Sequence, residues 1–368
     1  MSHPAVILVG GQGTRLRPLT ERTRKDMLPL VDRPLLAYTF EHLRRHGVAR
    51  AVLSCGYLPT QLRDFFGEEW EGFALDYRVE EDPLGTGGAI GFAARELRET
   101  FFAVNGDSLR EADLSALARF HRESGAKATI LLTPVADPTR YGLVRLEPDG
   151  RVQSFLEKPR PEEIDTNLIN AGVYCLEPEV LELIPSDRPV SIEREVFPRL
   201  VEKGSCYGLA LPGYWLDVGT PETYLQAHRD VLERNFETEV GKLLGRDYAH
   251  VAEAASVAEG ARLVPPVFVG GRVAAGARIG SVATIGRGAE VAADATIENS
   301  VIGEGARIGA GCTVVGSIVG KGAELGEACE LRGLSIVGPG ARIGAGNRLD
   351  GGIRVAADAV IPAGALSV

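Results

Sequence analysis

The chain has 368 residues, 45% of them hydrophobic and 24% charged, and carries a net charge of −10 at neutral pH. That length is too great for one typical core and predicts two domains, while the acidic balance argues against nonspecific nucleic-acid binding, which needs a basic face. No apolar run is long enough to span a bilayer, the chain opens on a strand pattern rather than a signal peptide, and five scattered cysteines (Cys55, Cys175, Cys206, Cys312, Cys329) lack Cys-x-x-Cys spacing, so neither a disulfide framework nor a zinc site is expected and a reducing cytoplasm is.

In chain order, the apolar run Ala5-Val6-Ile7-Leu8-Val9 predicts a buried strand feeding the loop Gly10-Gly11-Gln12-Gly13-Thr14-Arg15-Leu16-Arg17-Pro18. Glycines let backbone N–H groups approach an anion closely, and the arginines neutralise it. This is the pattern of a polyphosphate cradle at the carboxyl end of a strand, where open α/β sheets bind ligands. It is neither Gly-x-Gly-x-x-Gly, since position 16 is Leu16, nor a Gly-Lys-Ser/Thr P-loop. Arg15, Arg17, Arg22, Arg24 and Lys25 concentrate positive charge in an otherwise acidic chain and can focus an anionic ligand locally.

Ala51–Ser54 and Phe101–Val104 read as buried parallel strands, and Leu114–His121 and Pro221–Arg234 as helices, the latter with Thr220 as N-cap. Strands alternating with amphipathic helices up to residue 235 predict an α/β domain with a mostly parallel, Rossmann-like sheet. His42, His46, His121 and His228 lie in helical or polar contexts and are expected at the surface.

Residues 236–262 are polar and alanine-rich and are expected to form a linker. Beyond them the pattern changes. Of the last 118 residues 23 are glycine, too many for helix. An aliphatic residue recurs every six positions, from Val267, Val273 and Ile279 through Ile302, Ile308 and Val314 to Val355 and Ile361, with one-residue slips. A six-residue period is that of a β-helix, so residues 263–368 are expected to form one of about five coils. This segment resembles the left-handed parallel β-helix of hexapeptide-repeat proteins, many of them acyltransferases. Such enzymes need a histidine base, and all six histidines lie at or before His250. An architectural or regulatory role is therefore expected ahead of an acyl-CoA site.

The loop resembles the signature of the sugar-nucleotide pyrophosphorylases. The resemblance continues in family order through Leu84-Gly85-Thr86-Gly87-Gly88, Asn105-Gly106-Asp107, Tyr141-Gly142, Glu157-Lys158-Pro159, Asn170-Ala171-Gly172 and Trp215-Leu216-Asp217-Val218-Gly219, covering the first 235 residues. One departure is Asp26, where the family usually has proline; its charge would weaken phosphate binding at Lys25 unless the side chain faces solvent. Glu81–Gly87, Ser191–Pro198 and Leu211–Gly219 look most like the branch that joins GTP to mannose 1-phosphate, which also carries a C-terminal hexapeptide solenoid. Thymidylyl transfer to glucose 1-phosphate is the nearest alternative, and a noncatalytic nucleotide-sugar sensor is the alternative of another class.

The resemblance implies attack of a sugar 1-phosphate oxygen on the α-phosphorus of a nucleoside triphosphate, with pyrophosphate leaving. It implies Arg15, Lys25, Asp107 and Asp217 as the catalytic set, with Mg²⁺ shared by the two aspartates. Leu8, Gly10, Gly11, Gly13, Thr14 and Arg15 would hold the triphosphate, and Leu84, Gly85 and Thr86 the base or ribose. Lys158 would bind the sugar phosphate, while Glu157, Asn170 and the backbone of Gly142 would meet the sugar. A homo-oligomer through the β-helix is expected.

Overall fold

The computed structural model describes residues 3–56, 58–157 and 159–368. Its contacts group the chain otherwise than by sequence order. One compact unit comprises residues 1–11 and 39–215, and the other residues 12–38 and 216–368.

The first unit is built on a ten-stranded mixed sheet. Ala5–Val9 runs parallel to Arg50–Cys55 on one side and to Phe101–Asn105 on the other, as their apolar composition predicts. Phe73–Val79 extends this parallel core, while Leu168–Leu176 joins it antiparallel to Phe101–Asn105. Ala128–Pro134 and Cys206–Ala210 add a further parallel pair beside Leu168–Leu176. Helix Leu114–Ser124 is capped by Asp113, whose carboxylate accepts from Ala116 N.

The second unit contains a three-sided parallel β-helix with sheets of seven, seven and six strands. The hexad aliphatics stack in register, as Ile279, Ile297 and Val314 do, and line one continuous core. Glycine is required where the coils touch: a Cβ on Gly303 would fall 2.7 Å from the backbone of Gly320 in the next coil. The solenoid is of the left-handed hexapeptide class that the period predicts. Its first strands, Ala249–Val251 and Ser256–Val257, and a short helix, Glu239–Leu243, lie inside the segment read as a linker. His250 therefore sits on the first coil, its ring stacked on Phe268 at 5.4 Å.

The three outward-facing rows of the solenoid differ in chemistry. Two are charged or polar: Arg272, Glu290, Arg307, Glu324 and Arg342 stack along one face, and Arg278, Thr296, Thr313, Glu330 and Arg348 along another. The third row, Phe268, Thr284, Val301, Ile318 and Ile336, is buried throughout. Helix Pro221–Leu232, capped by Thr220 as its sequence predicts, meets this row where His228 Nδ1 lies 3.0 Å from Thr284 Oγ1.

Three of the histidines expected at the surface are buried: His42, His121 and His228, each no more than 3% exposed. Only His46 is partly exposed. Helical amphipathicity hides them because their helices are covered on the face that carries the ring. Desolvation lowers all three pKa values, that of His228 to about 3. A neutral buried imidazole makes the unfolded chain the better proton acceptor between its ordinary 6.5 and that folded value. The linked stability is therefore whole above pH 6.5 and lost as pH falls below it. By pH 5 His228 alone should cost about 2 kcal/mol. Chemical denaturation of the parent and His228→Gln at pH 8 and pH 5 checks this: the parent should lose about that much more on acidification, and equal losses would refute it.

Candidate active site

In the first unit the parallel register sets Leu8 beside Asn105, so both strands end at one edge of the sheet. Gly10 and Gly11 follow the first strand and are exposed, with open space where a Cβ would stand. Asp107 follows the second, in a turn tied to the first strand by Gly106 N donating to Leu8 O at 3.0 Å. Arg110, buried behind the turn, donates to Asn105 O and to both oxygens of Ser108. Desolvation pulls its pKa down to about 10 against the opposing charge of Asp107, leaving a fixed cation at neutral pH. Nothing in the spacing of Arg110 marks it out; only burial does.

The turn at Leu84-Gly85-Thr86 is clamped by the segment from Val190. Gly87 N donates to Val190 O at 2.8 Å, and Thr86 Oγ1 accepts from Ile192 N at 3.0 Å while donating to Glu193 Oε2 at 2.6 Å. Glu193 also takes hydrogen bonds from Ser191 Oγ (2.8 Å) and Tyr174 OH (3.3 Å), and that phenol accepts from Asn170 Nδ2 at 2.8 Å. One carboxylate thus links the expected base-side turn to the expected sugar-side amide. Sequence reading gave Glu193 no role, although the Ser191–Pro198 motif that contains it was visible.

Asn170 spends its amide within the chain, since Oδ1 also accepts from Gly172 N at 2.9 Å. Its neighbour Ala171 offers a carbonyl to Trp215 Nε1 at 3.0 Å, and the Trp215 ring meets Tyr141 edge-on at 5.1 Å. Gly142 stands opposite Glu157 across an antiparallel pair. Four separated motifs therefore converge in this unit. Lys158 lies outside the described residues.

In the second unit the glycine loop continues into a tight turn, Thr14–Leu16, anchored by the buried Leu16. Gly13 precedes it at φ +61°, and a Cβ there would lie 2.8 Å from Lys25 Cβ. Glycine is needed on both counts. Thr14 and Arg15 are exposed. Lys25 is nearly buried, and its Nζ stands 3.5 Å from Asp217 Oδ1. Arg15 Nη2 reaches Asp217 Oδ2 at 4.0 Å, passing Gly219, where a Cβ would fall 2.6 Å from that nitrogen. The loop cations and the strand-end aspartate, about 190 residues apart in sequence, meet in one place.

Asp26 neither faces solvent nor sets its charge against phosphate. It is 3% exposed and holds Arg24, wholly buried, through two hydrogen bonds, Nε to Oδ1 at 2.9 Å and Nη2 to Oδ2 at 2.8 Å. The bidentate arginine neutralises this carboxylate, so no unpaired charge stands behind the expected penalty on phosphate binding.

Among the described residues no group of three or more His, Cys, Asp or Glu side chains gathers to hold a metal. Asp107 is a partly exposed carboxylate in the first unit, and Asp217 is one in the second. A carboxylate is a hard oxygen donor of the kind a divalent cation takes.

Residues 4–234 match the nucleotidyl transferase family, and residues 247–357 match the GMPPB C-terminal domain. The chain is 39% identical over 301 residues to a mannose-1-phosphate guanylyltransferase of Mycobacterium tuberculosis, covering 81% of this chain and 79% of that one. It is 36% identical over 311 residues to mannose-1-phosphate guanylyltransferase 1 of Arabidopsis thaliana, covering 81% and 85%. Among solved structures, HddC from Yersinia pseudotuberculosis complexed with GMP-PN is 32% identical, with a TM-score of 0.53 over 61% of this chain and 97% of that one. A UDP-glucose pyrophosphorylase complexed with UDP-glucose, at 22% identity and TM-score 0.55 over 62% and 97%, shares the fold.

The Arg24–Asp26 pair carries a stability prediction. Asp26→Ala should destabilise the protein by about 3–5 kcal/mol, because Arg24 keeps its charge and loses its bidentate acceptor. Arg24→Met combined with Asp26→Leu should recover most of that loss. Urea denaturation of both variants measures it, and a single variant as stable as the parent would remove the pair from the account.

Proposed function

Because the chain belongs to the nucleotidyl transferase family, we propose that it is a mannose-1-phosphate guanylyltransferase, joining GTP and mannose 1-phosphate into GDP-mannose and pyrophosphate. The observation that carries the chemistry is the meeting of Arg15 and Lys25 at Asp217. The choice of guanine and mannose rests on the relatives.

A phosphate monoester has a second pKa near 6, so the nucleophile is ionised at neutral pH and no side-chain base is required. The task is to bring polyanions together and to stabilise developing charge. Gly10, Gly11, Gly13 and Thr14 give the triphosphate close access to backbone and hydroxyl donors beyond Leu8. Arg15, 66% exposed, is open to the phosphates, whereas Lys25, only 8% exposed, is a fixed charge. Asp107 and Asp217 would hold the divalent ion, Mg²⁺ by their donor chemistry, and when bound it would withdraw charge from the reacting phosphate.

Leu84, Gly85 and Thr86 would line the nucleoside, and Gly142, Glu157 and Asn170 the sugar, with Lys158 on its phosphate. The shared Glu193 holds Thr86 and, through Tyr174, Asn170 at fixed spacing, which is what positioning two substrates requires. All five cysteines are buried free thiols and no described helix is long and apolar enough to cross a membrane; both fit the cytoplasm as its compartment. Self-association would use the exposed charged rows of the solenoid.

Pyrophosphate release across GTP, dTTP, UTP, ATP and CTP against mannose and glucose 1-phosphates, with Mg²⁺, tests the assignment. GTP with mannose 1-phosphate should dominate; another dominant pair would move the substrate, and silence from folded protein would favour a sensor. Asp107→Asn should lower turnover by about 100-fold or more with an unchanged circular-dichroism spectrum. Metal-dependent activity within a few-fold of the parent would end the metal role of that residue.

A further inference from the structure

The buried outward row of the solenoid ends in an arginine. Phe268, Thr284, Val301, Ile318 and Ile336 stack in register, and the next position is Arg354. Its Nη1 donates to the carbonyl oxygens of Arg15 and Arg17, each at 3.1 Å. These carbonyls flank Leu16 in the signature turn, so one guanidinium nitrogen fixes the two peptide planes from which both loop arginines spring.

The same coil makes two further contacts along the loop. Ala357 N donates to Glu21 Oε2 at 3.1 Å, and Arg22 pairs with Asp358, Nη1 to Oδ1 at 3.1 Å. All of these residues belong to the second compact unit. We propose that the last coil of the β-helix is a clamp on the signature loop, with Arg354 as a positioning residue for the triphosphate-binding turn. The proposal rests on the nucleotidyl-transfer reading for its catalytic consequence, though not for the clamp itself.

Magnitudes separate this role from a stabilising one. Arg22 and Asp358 are 64% and 47% exposed, and Arg354 is exposed too. Ion pairs in that setting add little to folding stability. Placement of charged groups at a reacting phosphate is another matter, since a misplacement of about 1 Å costs up to 100-fold in rate. The clamp holds main chain, so it leaves the Arg15 side chain free to reach Asp217 or a phosphate.

Full-length parent, Arg354→Ala and Arg354→Lys give the test, read by amide hydrogen exchange and by steady-state kinetics. Without ligand, exchange across residues 13–24 should quicken about tenfold in Arg354→Ala, with the strand Ile318–Val319 unchanged. KM for GTP should rise about tenfold while KM for mannose 1-phosphate stays within about twofold. Arg354→Lys, which keeps a cationic donor, should recover part of both effects. The melting temperature should move by less than about 2 °C.

Unchanged loop exchange together with unchanged kinetics overturns the clamp. So does a lowered melting temperature with both KM values unmoved, because that is a structural role alone. If the parent itself releases no pyrophosphate from any pair, the assigned reaction fails, and loop exchange alone then upholds or overturns the clamp.

Discussion

Two phosphate esters repel one another, and a single pair of like unit charges at 4 Å costs about 4 kcal/mol at an effective dielectric of 20. A triphosphate facing a sugar phosphate multiplies that repulsion, and the chain must supply cations whose positions do not relax away. Lys25 is held at Asp217 and close-packed under Gly13. Arg15 is steered over Gly219 to the same carboxylate. On the proposed reading an acidic protein can do this because these charges act locally, and the remaining acidic surface is screened within a Debye length of about 10 Å.

The parts legible in the sequence are those where one period or one backbone demand dominates. Ala5–Val9 and Phe101–Asn105 are apolar on both faces because both faces are covered, and no helix pattern competes. The hexads are legible because each coil repeats the same corner. The first coil is less so: Val251, Val257 and Leu263 keep the six-residue spacing and pair with Val269, Val273 and Ile279, but the sequence around them is polar and alanine-rich. Glycines of the signature were readable for the same reason as the hexads, since Gly13 meets a steric demand that no other residue satisfies.

What escaped was whatever depends on a partner far off in sequence. His228 is polar on a polar-looking helix, and only Thr284, 56 residues on, shows that it is inside. Asp26 reads as a misplaced charge until Arg24 is seen to be wholly buried beside it. Glu193 sits in a recognisable motif, but its task of joining Thr86 to Tyr174 and Asn170 spans more than a hundred residues. Each of these is a polar group whose burial is acceptable only because a specific acceptor or donor exists, and composition is blind to that condition.

The solenoid makes the same point at larger scale. Its inward positions obey a period, which is why the repeat was visible; its outward positions obey whatever lies against them. Two rows became charged, as exposed β-surface requires, and arginine–glutamate neighbours such as Arg307 and Glu324 satisfy one another along the stack. The third row became apolar but for Thr284 and then, at the coil that reaches the glycine loop, arginine. A purely architectural cylinder has no reason to distinguish its faces in this way. The distinction follows if the outer row is shaped by the same chain that it touches, here the loop from Arg15 to Arg22 that meets Arg354, Ala357 and Asp358.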